Sequence, residues 1–256
     1  MINLSKKIIT FDLDGTLAES KRPITKEMAD LIEKLTKEKI VVVISGGTIK
    51  QFNTQFLPAF NKQDLASPYI KNLILLPTSG SQRYEYDQER SEWKLTDIEM
   101  FPEEIKEKAR KILEKIIDEG EYGIPKNPIG DYIEDRITQL SISALGQEAP
   151  IEQKKLWDPD QKKRQKIKLV LDKELPETSI IIGGTTTIDI LPKGFDKAKG
   201  LKRLLQKLGM TIDDMIFIGD AIFPGGNDYS AYEAGIESIK VSGPTETKEI
   251  IKKWMN

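Results

Sequence analysis

Residues 8–17 read Ile8-Ile9-Thr10-Phe11-Asp12-Leu13-Asp14-Gly15-Thr16-Leu17, a short apolar run broken abruptly by two acids and a glycine. The run has the composition of a buried strand, and the acids mark its carboxyl end. Asp12 and Asp14 are two apart, so their side chains can point toward the same side. Gly15 lets the backbone turn sharply after them. Taken alone, an Asp-x-Asp pair suits a metal–nucleotide-sugar site, two glycosidase carboxylates or a plain helix cap.

The flanking sequence places that pair. Thr25 can cap a helix in which Met28, Leu31, Ile32 and Leu35 recur at helical spacing. Val41-Val42-Val43-Ile44 is β-branched and continuously apolar, as in a strand covered on both faces, and ends in Ser45-Gly46-Gly47. A helix over about Lys50 to Phe60 and a strand Leu73 to Leu76 follow. The same rhythm returns after Asp196, with a helix on Leu201, Leu204, Leu205 and Leu208 closed by Gly209. Then come the strand Met215-Ile216-Phe217-Ile218 ending at Gly219-Asp220, a short helix, the strand Ser238 to Val241 and a helix from Glu246 to Trp254. This alternation predicts an α/β fold, a doubly wound (Rossmann-like) parallel sheet. Between the two stretches the pattern changes: Tyr84 to Leu95 reads as a hairpin, Pro102 opens a helix, Tyr132 to Ile142 alternates, about Glu152 to Leu175 is a polar helix, and Ser179 to Ile182 is β. The expectation is an inserted α+β domain at 84–187 in a core made of 1–83 and 188–256.

Composition limits the chemistry. The 256 residues include no histidine and no cysteine, which excludes a Ser-His-Asp relay, a thiolate nucleophile and any His or Cys zinc site. Catalysis must then use carboxylates, hydroxyls, lysine or arginine, with a hard oxygen-seeking cation such as Mg²⁺. Lys+Arg total 39 against 41 Asp+Glu, a net charge of −2, so no long-range attraction to nucleic acid or an anionic membrane is expected. The apolar runs are too short to span a bilayer and no secretory h-region is visible; cytoplasmic is the default expectation. The basic stretch Lys162-Lys163-Arg164-Gln165-Lys166 reads as a solvated helix face.

Ligands of open α/β sheets bind outside the carboxyl ends of the strands. Asp12/Asp14, Ser45 and Asp220 all stand at such ends, and Asp196-Lys197 precedes a helix leading to the Asp220 strand. Ser45-Gly46-Gly47 offers a hydroxyl and backbone N–H groups suited to phosphate oxygens. Lys197 can neutralise a transferring phosphoryl group. Asp220, Asn227 and Asp228 offer oxygen ligands for Mg²⁺. Asp-Leu-Asp-Gly-Thr-Leu with the other three clusters, in this order, resembles the haloacid dehalogenase (HAD) superfamily. The likeness extends over nearly the whole chain to the IIB-capped branch, and within it to the eukaryotic-type phosphomannomutases. It is carried by Pro224-Gly225-Gly226-Asn227-Asp228, Ile133-Glu134-x-Arg136, Gly183-Gly184-x-x-x-x-Asp189 and Gly194-x-Asp196-Lys197.

The resemblance implies a HAD core whose inserted domain is a cap that closes over the site and selects the substrate. It implies that Asp12 is the nucleophile, forming an aspartyl-phosphate, and that Asp14 is the general acid/base. Asp12, the backbone carbonyl of Asp14, Asp220 and Asn227 or Asp228 would hold Mg²⁺. Ser45, Gly46, Gly47 and Lys197 would surround the phosphoryl group, and Arg136, Thr187 and Asp189 would bind substrate from the cap. With water as acceptor the enzyme is a phosphatase; with a sugar-phosphate hydroxyl it is a mutase, which needs a second, arginine-rich phosphate site. Ile129 and Gln147 stand where the resemblance calls for two further arginines, each charged hydrogen bond being worth about 1.5–3 kcal/mol. Lys126 and Arg164 offer themselves as replacements. That departure favours a phosphosugar phosphatase, with phosphomannomutase as the alternative. Several mutases of this kind dimerise through their caps, so a cap-mediated homodimer is the partner expectation. A receiver-type regulatory domain would lack the large insert, a glycosyltransferase would leave three clusters unexplained, and a dead binding module would not keep Asp12, Asp14, Lys197 and Asp220.

Overall fold

The computed structural model describes residues 5–255. They divide into two compact units, one of residues up to Ile98 together with Asp196 onward, the other Glu99–Phe195.

The first unit is built on a seven-stranded sheet of order β11-β10-β1-β2-β3-β4-β5. Its strands are β1 (Ile8–Asp12), β2 (Ile40–Ile44), β3 (Leu73–Leu76), β4 (Gln82–Asp87), β5 (Glu92–Ile98), β10 (Met215–Gly219) and β11 (Glu237–Lys240). β1 pairs in parallel with β10 and β2, β2 with β3, and β10 with β11. Alternation along these strands feeds two cores. Ile9, Phe11, Val41, Val43, Leu73, Leu75, Ile216 and Ile218 point to one face, packed under α1 (Lys26–Thr36) and α9 (Pro244–Trp254). Ile8, Val42, Ile44, Ile74, Leu76, Met215 and Phe217 point to the other, with Leu201, Leu204 and Leu205 of α7 (Lys197–Leu208). Both faces are therefore dry, which is why these strands read as unbroken apolar runs.

Three expectations need correction here. The hairpin at Tyr84 to Leu95 does not start the insert: β4 pairs antiparallel with β3 and β5 with β4, so the core sheet runs on to Ile98 and the units divide at 98 and 195, not at 83 and 187. The helix expected over Lys50 to Phe60 is three short pieces, α2 (Ile49–Gln51), a π-helical turn Phe52–Phe56 and a 3₁₀ turn Leu57–Ala59. The polar helix over Glu152 to Leu175 is two, α5 (Ile151–Trp157) and α6 (Lys162–Glu174). Pro159 explains the break, because it drives Asp158 out of the helical region to φ −150°, ψ 63°.

The second unit has a four-stranded antiparallel sheet of order β6-β7-β9-β8: β6 (Ile133–Asp135), β7 (Leu140–Ser143), β8 (Thr178–Gly183) and β9 (Thr187–Pro192). The stretch Tyr132 to Ile142 thus makes two paired strands rather than one. Leu140, Ile142, Ile180, Ile188 and Ile190 pack against Ala109, Leu113 and Ile116 of α4 (Glu103–Glu119) and Ile167 and Leu171 of α6. The solvated face expected at Lys162 to Lys166 is interrupted by Arg164, which is buried. Its guanidinium pairs with Asp158 at 2.9 Å and donates to the carbonyls of Gly183 and Gly184.

Candidate active site

The carboxyl ends of β1, β2 and β10 bring the acidic, hydroxyl and lysine clusters of the first unit together. Asp12 is the last residue of β1 and is 3% exposed. Lys197 opens α7, whose N-cap Asp196 accepts from the Lys199 N–H at 2.9 Å. With the helix start fixed in this way, the Lys197 ammonium is buried 2.5 Å from Asp12 Oδ1 and 2.5 Å from Asp228 Oδ1. Asp228 is held in turn by the Ala221 N–H, 3.0 Å from its Oδ2. Asp220 follows β10 and accepts a long 3.5 Å contact from the Thr16 hydroxyl. Gly15, at φ +81°, is required here: a Cβ on it would collide with the Asp220 carboxylate.

Burial pushes the Asp12 carboxyl well up, the Lys197 charge opposing it and the Asp228 charge adding to it. Burial and the Asp228 charge raise Asp220 as well. For Lys197, burial works downward, but Asp12 and Asp228 outweigh it and hold the ammonium protonated. Asp12, Asp220 and Asp228 each place a carboxylate oxygen within 4.8 Å of the others. Three crowded, partly frustrated oxygens with no nitrogen or sulfur donor fit a hard divalent cation. Asn227 is exposed on the turn just before Asp228.

Asp14 faces elsewhere. Its Oδ2 accepts from Gln51 Nε2 at 2.5 Å, and its Oδ1 from Gln55 Nε2 at 2.8 Å and the Lys21 N–H at 2.7 Å. Ser45 is 3% exposed beyond β2, and its hydroxyl accepts from the Gly47 N–H at 3.1 Å. Gly46 and Gly47 continue the same turn and are half-buried.

Arg136, Thr187 and Asp189 belong to the second unit. Arg136 pairs with Glu134 at 2.8 Å and lies 3.6 Å from Asp189. Burial raises the Asp189 carboxyl against the pull of Arg136. Thr187 opens β9 two residues before Asp189. Of the two suggested replacement cations, Lys126 is exposed, whereas Arg164 is buried and committed to Asp158. Sequence reasoning passed over Lys154, a buried lysine of α5 whose ammonium donates to the Gln147 carbonyl at 2.8 Å. It also passed over Gln51 and Gln55. No charge or motif marks the glutamines; only their spacing of four residues was available.

A parallel sheet with an aspartate at the end of its first strand, a lysine at a helix start and acids after β10 define a phosphoryl-transfer enzyme of the HAD superfamily. The chain belongs to the eukaryotic phosphomannomutase family, whose model matches residues 28–256. It is 27% identical over 249 residues to a phosphomannomutase of Encephalitozoon cuniculi, covering 94% of this chain and 91% of the relative. It is 28% identical over 261 residues to phosphomannomutase 1 of Dictyostelium discoideum, covering 96% and 95%. Among solved structures, a truncated IMP-nucleotidase of Plasmodium falciparum matches with TM-score 0.70 at 18% identity over 98% of this chain and 68% of that one. A haloacid dehalogenase-like hydrolase of Bacteroides thetaiotaomicron matches with TM-score 0.59 at 18% identity over 97% and 99%. These two likenesses concern the fold. No helix among the described residues is long and apolar enough to cross a membrane.

Proposed function

We propose that the protein is a phosphomannomutase, moving a phosphoryl group between the 1- and 6-hydroxyls of mannose phosphate through an aspartyl-phosphate on Asp12. The observation that carries phosphoryl transfer is the buried Lys197 ammonium shared between Asp12 and Asp228. The near full-length match to proteins named phosphomannomutase favours a sugar phosphate over water as acceptor.

In this reading an Asp12 oxygen attacks phosphorus and the ester P–O bond breaks. Asp14 gives its proton to the departing sugar oxygen, then takes one from the incoming hydroxyl as the phosphoryl group leaves Asp12. Lys197 and the Ser45–Gly47 turn hold the phosphoryl oxygens. Asp12, Asp220, Asp228 and the Asp14 carbonyl would hold Mg²⁺, whose charge screens the repulsion between carboxylate and phosphate. Arg136, Thr187, Asp189 and the buried Lys154 are the proposed substrate-binding groups of the second unit.

Phosphosugar hydrolysis is the second reading. It is favoured by Ile129, 45% exposed where the resemblance calls for an arginine, and by the capture of Arg164 by Asp158. The deciding experiment supplies mannose 1-phosphate, Mg²⁺ and a catalytic amount of hexose bisphosphate and follows ³¹P NMR. Mannose 6-phosphate should form faster than inorganic phosphate; the reverse order would establish the hydrolase.

A further inference from the structure

The glutamines around Asp14 form a closed ring. Gln51 Nε2 donates to Asp14 Oδ2 at 2.5 Å and to Gln55 Oε1 at 2.7 Å, and Gln55 Nε2 donates to Asp14 Oδ1 at 2.8 Å. Both amide orientations are thereby fixed, since turning either one would set an oxygen against an oxygen. The remaining Gln51 Oε1 faces the phosphate-cradling turn, 3.5 Å from the Ser45 hydroxyl. It also lies across Gly47, where a Cβ would occupy its place.

The backbone that carries the two glutamines is anchored by packing. Phe52 and Phe56 are fully buried, in an edge-to-face contact with centroids 6.2 Å apart, and Phe56 packs on Phe60 at 5.1 Å. The Gln55 carbonyl accepts from the Ile24 N–H at 2.9 Å, tying this segment to the chain that follows Asp14. The π-helical turn Phe52–Phe56 departs from the α-helix the sequence predicts, a deviation common at functional sites. One buried and one half-buried amide spent on one carboxylate give little that a surface aspartate would need, but they fix where its oxygens point.

We propose that Gln51 and Gln55 are positioning residues that orient Asp14 for proton transfer, with Gln51 linking it to the Ser45 turn. The inference rests on Asp14 being the acid/base of the proposed reaction. Neither glutamine touches the nucleophile, so each acts on proton transfer and not on the attack by Asp12.

Leaving-group chemistry separates these steps. Expulsion of p-nitrophenolate from p-nitrophenyl phosphate needs no proton, whereas hexose phosphate turnover and breakdown of the acyl phosphate both need Asp14. Gln51→Met and Gln55→Met keep shape and remove the donors; Gln51 is half-buried, so its variant serves if the Gln55 change unfolds the chain. On mannose 1-phosphate, kcat should fall about 10- to 100-fold, within the reach of general acid–base catalysis, with KM within about twofold. The pre-steady-state burst of p-nitrophenolate should stay within about threefold of wild type while its steady-state rate drops. Burst and turnover falling together, a change confined to KM, or no change would overturn the proposal. A wild type inactive on sugar phosphates would refute the mutase and phosphosugar readings alone, and the burst-against-turnover comparison would still judge the glutamines. A wild type with neither activity would overturn both.

Discussion

Lys197 Nζ lies 2.5 Å from Asp12 Oδ1 across a sequence separation of 185 residues, and both side chains are buried. A chain places a lysine and an aspartate in such a contact only if the desolvation of both charges is offset locally. Here Asp228 completes the offset and brings a second negative charge with it. The result is a centre with one cation among several acids, ready for a further positive charge.

Lys197→Met should leave Asp12 and Asp228 buried without their cation. The expected loss of stability is about 3–5 kcal/mol in the presence of a chelator. Adding Mg²⁺ should recover part of it, because a cation that binds only the folded state stabilises that state by mass action. Urea unfolding with EDTA and with Mg²⁺ measures both. An equal loss under the two conditions would show that Asp12, Asp220 and Asp228 do not share a cation.

Gly200→Ala tests how α7 is seated. Alanine favours a helix over glycine by about 1 kcal/mol. At this position, however, a Cβ would run into the Ser79 carbonyl and the Gly80 Cα, both backbone atoms that cannot swing aside. Overpacking of this kind costs roughly 1–3 kcal/mol, so net destabilisation is expected. Turnover should fall as well, because α7 begins at Lys197. A stabilised variant with full activity would contradict the seating described here.

Asp158 and Arg164 predict a pH dependence for the second unit. Burial opposes ionisation of Asp158, but Arg164 and the N–H groups of Lys163 and Arg164 outweigh it and hold the carboxyl below its ordinary value of 3.8. A carboxyl lowered by folding stabilises the native state above its unfolded pKa, and that contribution fades as the pH falls through the lower, folded value. Asp158→Asn should therefore destabilise the protein by about 3–5 kcal/mol at pH 7, as expected for breaking a buried pair. The gap from wild type should shrink below about pH 4. Unfolding curves collected from pH 7 down to pH 3 would test this; a gap that does not change with pH would rule out the ion pair as its source.

Much of this arrangement is legible in the sequence. β1, β2, β3 and β10 lie dry on both faces, so their apolar runs name them, and the polar residues that follow name the site. The chain order of Asp12, Ser45, Lys197, Asp220 and Asp228 carries no distances, yet each stands at a strand end or helix start, where parallel topology gathers it. β4 and β5 were less readable. They are antiparallel and largely half-exposed, so their alternation looks the same in a core sheet as in an insert. The Gln51–Gln55 ring was invisible for a different reason. Neutral amides leave no charge signature, and the short helical piece ending at Gln51 and the π-helical turn holding Gln55 read together as ordinary helix. Arg164 misled because its basic neighbours suggest a solvated face, while its partner Asp158 lies beyond the helix break at Pro159.

Every step proposed for this site depends on Asp12 carrying the phosphoryl group. Acid quenching of the enzyme during turnover with mannose 1-phosphate, followed by proteolysis and mass spectrometry, locates the acyl phosphate directly. It should lie on Asp12, in the peptide spanning residues 8–17, disappear on treatment with hydroxylamine, and be absent from Asp12→Asn along with turnover. A phosphoryl group on any other residue, or full turnover in Asp12→Asn, would contradict it.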